Sequence, residues 1–110
     1  MSFVKVAETP EISAGMKKKV VIGSTEILLS NIDGEFYAVN DKCPHMGGSL
    51  SEGILEGHLI SCPRHGSKFD VKTGKNMDGA KILFMKMKVH DIQSYETKVD
   101  GKDIFVDIGE

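Results

Sequence analysis

Two cysteines and two histidines stand at short range from one another in the middle of the chain. Cys43 precedes His45 by two positions and Cys62 precedes His65 by three, and the 110 residues contain no other cysteine. A proline directly follows each cysteine, and a glycine lies within two positions after each histidine. This repetition predicts two similar loops, each offering one thiolate and one imidazole to a shared metal centre. Such donors suit zinc or an iron–sulfur cluster, whereas calcium and magnesium prefer oxygen ligands.

Two other interpretations of these residues compete with an iron–sulfur centre. A Cys43–Cys62 disulfide would leave the paired histidines without a role, and disulfides are rare in a reducing cytosol. A mononuclear zinc site would use all four side chains. Zinc sites usually pair like ligands at short spacing, cysteine with cysteine and histidine with histidine, which this sequence does not do. The zinc site therefore stays open as the weaker alternative.

The segment resembles the cluster-binding motif of Rieske-type [2Fe-2S] proteins, C-x-H-x16-C-x-x-H. The motif spacing is intact from Cys43 to His65, and the resemblance is strongest from about residue 20 to 75. Further residues typical of the family surround the motif: 33–40 upstream, then Gly47, Leu50, Gly53, Gly66, Phe69, Asp70, Thr73 and Gly74. The resemblance implies that Cys43 and Cys62 bind one iron, and that His45 and His65 bind the other.

The same resemblance implies a set of residues around the cluster that tune its reduction potential. They are Pro44, Met46, Gly47, Gly48, Leu50, Pro63, Arg64, Gly66, Ser67 and Phe69. High-potential members of the family carry a further cysteine in each loop, where this chain has Gly48 and Arg64. They also use a serine and a tyrosine to donate hydrogen bonds to cluster sulfurs; this chain keeps Ser67 but has Phe69. We therefore expect an intermediate-to-low potential within the family range of roughly −150 to +300 mV.

The rest of the chain is a succession of short strands and turn signals. Strands are predicted over 3–7, 16–22, 26–30, 36–39, 54–55, 58–61, 68–71, 95–99 and 104–108. Turns are predicted at Gly23-Ser24, Asp33-Gly34, Glu56-Gly57, Lys72–Lys75 and Asp100-Gly101. No segment has a helical signal of useful length. The pattern indicates an all-β barrel or sandwich domain. The resemblance implies three small antiparallel sheets, with the cluster at the tip of two loops.

The hairpin predicted over residues 54–61 is the element that must bring the two loops together. It turns the chain so that Cys62 returns towards Cys43, and a fixed pair of strands holds two loops at one distance.

Residues 76–94 follow no clear pattern. Family members commonly carry a proline there, whereas this chain has none after Pro63. Alternation over 86–90 predicts a strand with one solvated face.

Length and composition limit the class of protein. A chain with 40% apolar and 27% charged residues suits one soluble domain over 1–110, with a cluster-binding part at about 41–75. A net charge of −2 gives no electrostatic support for nucleic-acid binding. Lys17–Lys19, the only basic run, is interpreted as a solvated turn. No segment could span a bilayer and no signal peptide is evident, so a cytoplasmic monomer is expected.

The resemblance implies an electron carrier rather than an enzyme. In the family such ferredoxins take electrons from a flavin reductase and pass them on, most often to a Rieske non-haem iron oxygenase. The sequence contains no nucleotide-binding glycine loop and no nucleophile–base arrangement. The alternative is a cluster-bearing small subunit of a reductase complex of the nitrite reductase type. His58 and His90 are interpreted as surface or strand residues rather than ligands.

Overall fold

The structure is a computed structural model that describes residues 2–42, 48–63, 67–77 and 91–109. Ten strands follow one another along these residues. They are β1 (Phe3–Glu8), β2 (Lys17–Ile22), β3 (Thr25–Ile32), β4 (Glu35–Asn40), β5 (Ile54–Glu56), β6 (Leu59–Ser61), β7 (Lys68–Asp70), β8 (Ser94–Tyr95), β9 (Thr97–Asp100) and β10 (Asp103–Asp107). Two single-turn 3-10 helices, Thr9–Glu11 and Leu50–Glu52, were not predicted from the sequence. No helix in the described part of the chain is long and apolar enough to cross a membrane.

The strands form three antiparallel sheets, as predicted. The terminal sheet has the order β1-β10-β9, the four-stranded sheet the order β2-β3-β4-β8, and the loop sheet the order β5-β6-β7. The turn between β3 and β4 has positive φ at both Asp33 and Gly34, as a tight two-residue hairpin requires. The hairpin of β5 and β6 is also present, but its turn is Gly57-His58 and not Glu56-Gly57. Glu56 belongs to β5 because it pairs with Leu59.

Strand β3 lies between two apolar cores and contributes side chains to both. Ile27 and Leu29 face one core, which contains Ile104 and Val106 of the terminal sheet. Leu28, one residue out of phase, faces the other core, which also holds Leu50, Ile60, Cys62 and Phe69. Because alternate residues of a strand point to opposite faces, a strand buried on both sides reads as one continuous apolar run. The four-stranded sheet therefore backs the loop sheet from which Cys62 emerges.

The predicted strand over residues 95–99 is divided between two sheets. Tyr95 pairs with Ala38 of β4, whereas Thr97 pairs with Val106 of β10. Glu96 is the crossing point, and the Thr97 hydroxyl donates a hydrogen bond to the Phe36 carbonyl at 2.7 Å. A sequence pattern of alternating residues does not reveal such a change of partner, because both halves keep the same period.

Residues 76–94, which follow no clear sequence pattern, are joined to the rest of the fold by hydrogen bonds at both ends. The backbone N–H of Ile92 donates to the Gly74 carbonyl at 2.7 Å, and the N–H of Asn76 donates to the Asp91 carboxylate at 2.8 Å. A Cβ on Gly74 would lie 2.0 Å from the Ile92 carbonyl oxygen, so only glycine allows this approach. Residues 78–90, with the strand predicted over 86–90, lie outside the described residues.

Candidate metal centre

Cys62 is the predicted ligand that the structure describes. It directly follows β6, and its side chain is almost fully buried, with 2% of its surface exposed. It forms no disulfide in the described chain, and it packs in the same core as Leu50, Ile60 and Phe69. A free thiol at the end of a strand, against a dry apolar wall, can ligate a metal from one side while that wall excludes water from the other.

Backbone hydrogen bonds form the base of the second loop. Ser61 pairs with Lys68 across β6 and β7, and the Cys62 N–H donates to the Ser67 carbonyl at 2.7 Å. The ladder therefore continues one residue beyond the strands, and this hydrogen bond joins the two ends of the second loop. Pro63 is exposed and Ser67 is buried. The Phe69 side chain is completely buried, which places it in the core behind the loop and not on its surface.

The first loop also returns to its starting point. Lys42 and Ser49 form an isolated antiparallel bridge, and the Leu50 N–H donates to the Asp41 carbonyl at 2.7 Å. Gly48 is buried at the end of the loop, and Leu50 is completely buried behind it. The two ends of the first loop, at Lys42 and Ser49, therefore lie side by side.

Gly53 brings the bases of the two loops together. A Cβ at this position would lie 1.7 Å from the carbonyl oxygen of Ser61, the residue before Cys62. Its φ of −85° is accessible to any residue, so close approach rather than backbone conformation requires glycine here. Ile54, the next residue, pairs with Ser61. The chain leaving the first loop thus lies against the strand that enters the second.

The other predicted site residues lie outside the described residues. They are Cys43, Pro44, His45, Met46, Gly47, Arg64, His65 and Gly66. His90, interpreted as a surface or strand residue, lies outside them as well. The donor set fits a Rieske cluster, because each closed loop carries one cysteine and one histidine by sequence and the two loop bases are adjacent. No group of three or more His, Cys, Asp or Glu side chains gathers within residues 2–42, 48–63, 67–77 and 91–109.

His58 lies in the turn of the loop-sheet hairpin, at the end opposite to Cys62. Its ring is half exposed, and its Nδ1 lies 3.2 Å from an Asp70 carboxylate oxygen. This position agrees with the interpretation of His58 as a surface residue. A ligand role for His58 would need the metal to lie at the wrong end of the hairpin.

Sequence reasoning missed a cluster of polar residues at the base of the first loop. The Asp41 carboxylate is completely buried, accepts a hydrogen bond from the Ser51 N–H at 2.8 Å and is also bound by the Ser49 hydroxyl. Lys19 Nζ lies 3.6 Å from that carboxylate and 2.8 Å from the Glu26 carboxylate. The hydrogen bond between Lys19 and Glu26 lowers the pKa of Glu26 and raises the pKa of Lys19.

The interpretation of Lys17–Lys19 as a solvated turn is wrong, whereas the strand predicted over 16–22 is confirmed. All three residues belong to β2, and each pairs with β3. Alternation along the strand sends Lys17 and Lys19 towards the first loop, while Lys18 contacts Glu11. Lysine runs are usually solvated, and nothing local indicates that partners 22 and 34 positions away hold these side chains.

Comparison with known proteins identifies the family. Residues 2–82 match the Rieske [2Fe-2S] domain. The chain is 33% identical over 108 residues to the ferredoxin component of biphenyl 2,3-dioxygenase from Rhodococcus jostii (strain RHA1), covering 98% of this chain and 94% of that protein. It is 40% identical over 88 residues to the 3-phenylpropionate/cinnamic acid dioxygenase ferredoxin subunit of Escherichia coli (strain K12), covering 79% of this chain and 76% of that protein.

Solved structures agree with the sequence relatives. The ferredoxin of carbazole 1,9a-dioxygenase from Nocardioides aromaticivorans IC177 is similar with a TM-score of 0.84 at 25% identity, over 96% of this chain and 97% of that one. A chain in a complex of reduced oxygenase and oxidized ferredoxin of carbazole 1,9a-dioxygenase has a TM-score of 0.82 at 28% identity, over 94% and 91% of the two chains. The chain therefore belongs to the Rieske [2Fe-2S] domain family, with one [2Fe-2S] cluster as its cofactor.

Proposed function

We propose that this protein is the ferredoxin of an oxygenase system, a one-electron carrier between a flavin reductase and a terminal oxygenase. The observation that carries the proposal is the buried thiol of Cys62 at the adjoining bases of two closed loops, on a chain that matches dioxygenase ferredoxins over nearly their whole length. Catalysis then belongs to the oxygenase, and this chain supplies electrons.

The ligands that we propose are Cys43 and Cys62 for one iron, and His45 and His65 for the other. When bound, the cluster supplies a one-electron couple, and two thiolates rather than four leave its oxidised form neutral and easier to reduce. Leu50, Ile60 and Phe69 close the protein side of the site, and their complete burial excludes water from the Cys62 thiol. We therefore expect a redox partner to approach the site from the side opposite to this core.

The potential that we propose is intermediate to low. By the family resemblance, Gly48 and Arg64 stand where high-potential members carry the cysteines of a disulfide between the loops. Phe69 has no hydroxyl, and its completely buried ring contributes packing alone. Ser67, at the end of the second loop, is the side chain that we expect to donate a hydrogen bond to the cluster, which would stabilise the reduced state.

Two exposed apolar side chains mark the surface on which we expect the partners to bind. Ile54 pairs with Ser61, Ser61 pairs with Lys68, and the Lys68 carbonyl accepts a hydrogen bond from the Met77 N–H at 2.8 Å. Ile54 and Met77 therefore lie at the Cys62 end of the loop sheet, with 66% and 46% of their surfaces exposed. Because the net charge of −2 gives little steering, contact by apolar side chains is the better basis for recognition.

Paired substitutions test this surface. Replacing Ile54 and Met77 together by serine is expected to raise the ferredoxin concentration needed for half-maximal oxygenase turnover, with the reduction potential unchanged. The matched control is Val99→Ser, since Val99 is as exposed as Met77 but lies in the terminal sheet. Equal effects of the double variant and the control would exclude a docking role for this end of the loop sheet.

The remaining parts of the proposal concern organisation. We propose one domain over residues 1–110 with its cluster-binding part at about 41–75, acting as a monomer in the cytoplasm. A small subunit of a putative NADPH nitrite reductase shares the fold, with a TM-score of 0.75 at 20% identity. This likeness concerns the fold alone, so the reductase-subunit alternative gains no support beyond it.

The decisive experiment is a count of iron, acid-labile sulfide and zinc on protein purified without air, with an absorption spectrum. Two irons, two sulfides and a visible chromophore per chain are expected. The reduced protein should then transfer its electron to an oxygenase of the aromatic dioxygenase class. One zinc with no sulfide would overturn the electron-transfer function and restore the structural zinc module as the explanation.

A further inference from the structure

Asp41 is a completely buried carboxylate two residues before the proposed ligand Cys43. Burial of a carboxylate is costly unless hydrogen bonds and opposite charge replace the lost water. No general property of a strand end requires an acid here. The contacts of Asp41 therefore indicate what the buried charge is for.

Every polar atom of Asp41 has a partner. Its backbone N–H donates to the Glu26 carbonyl at 2.9 Å, and its own carbonyl accepts from the Leu50 N–H at 2.7 Å. One carboxylate oxygen accepts from the Ser51 N–H at 2.8 Å, and the other accepts from the Ser49 hydroxyl. The hydroxyls of Ser49 and Ser51 lie 2.7 Å apart and so share the site. Asp41 thus holds three consecutive residues on the far side of the first loop.

Two lysines of strand β2 also contact Asp41 and the segment that it holds. Lys19 Nζ lies 3.6 Å from the Asp41 carboxylate, and Lys17 Nζ donates a hydrogen bond to the Ser51 carbonyl at 2.6 Å. The lysines occupy alternate positions of one strand, and each reaches a different part of the loop base. The buried negative charge is therefore partly compensated, and the loop base is attached to the four-stranded sheet.

We propose that Asp41 is a positioning residue for the first ligand loop, fixing the place to which residues 43–48 return. The inference rests on the proposed function, since it concerns the loop that carries Cys43 and His45. Hydrogen bonds to a carboxylate are directional and stronger than those between neutral groups. The contacts of Asp41 with Ser49 and Ser51, called here the Asp41 clamp, therefore fix the loop ends more tightly than a single backbone bridge does. Because Cys43 and His45 bind different irons, a loosened first loop would leave both irons in variable geometry and release the cluster faster.

Four variants of the cluster-loaded protein test the inference. Asp41→Ala removes the clamp, Asp41→Asn keeps an acceptor for Ser51 but loses the charge facing Lys19, and Ser49→Ala removes one hydroxyl contact. The control is Asp107→Ala, because Asp107 accepts two backbone hydrogen bonds, from Ser2 and Gly109, far from the loops in the terminal sheet. Circular dichroism and denaturant titration record the folding of each variant.

The readouts are the half-life of the visible chromophore in the presence of an iron chelator, the g values and line width of the reduced cluster, and the midpoint potential. We expect Asp41→Ala to shorten the half-life at least tenfold and to broaden the spectrum, Asp41→Asn and Ser49→Ala to have intermediate effects, and Asp107→Ala to match wild type. A purely structural role would lower stability without changing the g values.

The experiment distinguishes failure of the proposed function from failure of the inference about Asp41. Wild-type protein without two irons and two sulfides would overturn the proposed function and the inference with it. Loaded wild type with variants that keep its half-life and g values would overturn the inference alone. Should Asp41→Ala not fold, the same reading applies to Asp41→Asn and Ser49→Ala, and wild-type behaviour of both would exclude a positioning role.

Discussion

Both ligand loops close through backbone hydrogen bonds, but the base of the first adds charged and hydroxyl side chains to them, whereas the base of the second adds only apolar packing. Asp41 and Lys19 belong to the base of the first loop, called here the first base, and both are ionisable. Ile60 and Phe69 belong to the base of the second loop, the second base, and both are completely buried. One protein thus supports two similar loops in two different ways.

This difference predicts how each base responds to a change of conditions. Apolar packing and backbone ladders are not weakened by ionic screening, and they fail mainly when atoms are removed from the core or added to it. Contacts between charges weaken with ionic strength and depend on the protonation of both partners. The second base should therefore respond to mutations of volume, and the first to mutations of charge.

Loss of core volume should give the largest effect, and it should come from the second base. Ile60→Ala is expected to lower the free energy of unfolding by about 2–5 kcal/mol, because it leaves a cavity in a close-packed core. Ile54→Ala, in the neighbouring strand, removes an exposed side chain and should cost no more than about 0.5 kcal/mol. Denaturant titration of the two variants measures the contrast. Equal losses would mean that the core behind Cys62 does not support the second loop.

Gly53, where the two bases meet, should give the next largest effect. Gly53→Ala places a Cβ 1.7 Å from the Ser61 carbonyl oxygen, and separating the chains should cost about 3 kcal/mol. Gly57→Ala is the control at the other end of β5, where φ is +60° but nothing lies within 4 Å. Its strain alone should cost about 1 kcal/mol. Thermal unfolding and iron content should both separate the variants, and a larger loss for Gly57→Ala would contradict the close approach.

A smaller effect is expected from Ser67, within the second loop itself. Ser67→Ala should lower the midpoint potential by roughly 20–60 mV, the equivalent of one hydrogen bond of about 0.5–1.5 kcal/mol for a one-electron couple. Ser94→Ala, on an exposed strand, should leave the potential unchanged. Protein-film voltammetry measures both. An unchanged potential in Ser67→Ala would show that this hydroxyl does not act on the cluster.

The second base was predictable from sequence, and the first was not. The hairpin of β5 and β6 follows from alternating residues and turn signals, and β7 falls within the strand predicted over 68–71, although its pairing with β6 is seen only in the structure. Even there the turn was misplaced by one residue, because Gly57 and His58, not Glu56, take the turn conformation. Local patterns carry this information because each contact joins residues that are close along the chain.

The first base depends on contacts between distant residues. Asp41 was overlooked because an aspartate after a strand resembles an ordinary turn residue. The sequence pattern also does not indicate the role of Lys19, because its partners Glu26 and Asp41 become its neighbours only when β2 pairs with β3. Loop closure around Cys62 was anticipated from the pattern of paired ligands, whereas the buried charge that closes the other loop has no local signal.

The smallest effect should come from the exposed ion pair of the first base, and it should depend on pH. The folded-state pKa of Glu26 lies below its ordinary value of 4.5 because Lys19 donates a hydrogen bond to it. The pair therefore stabilises the fold above about pH 4.5 and loses its contribution as the pH falls through the folded pKa. Lys19, whose pKa is raised above 10.5, contributes below that value and stops contributing as the pH rises through its own folded pKa.

Glu26→Gln should accordingly flatten the fall in melting temperature below about pH 4.5, and 1 M salt should reduce the difference from wild type. Glu96→Gln removes the same charge from an exposed residue outside the first base and serves as control. Melting temperatures measured from pH 3 to pH 7 at two salt concentrations test the expectation. If both variants follow wild type, the charges around Lys19 do not stabilise the first base, and its support reduces to the buried contacts of Asp41 with Ser49 and Ser51.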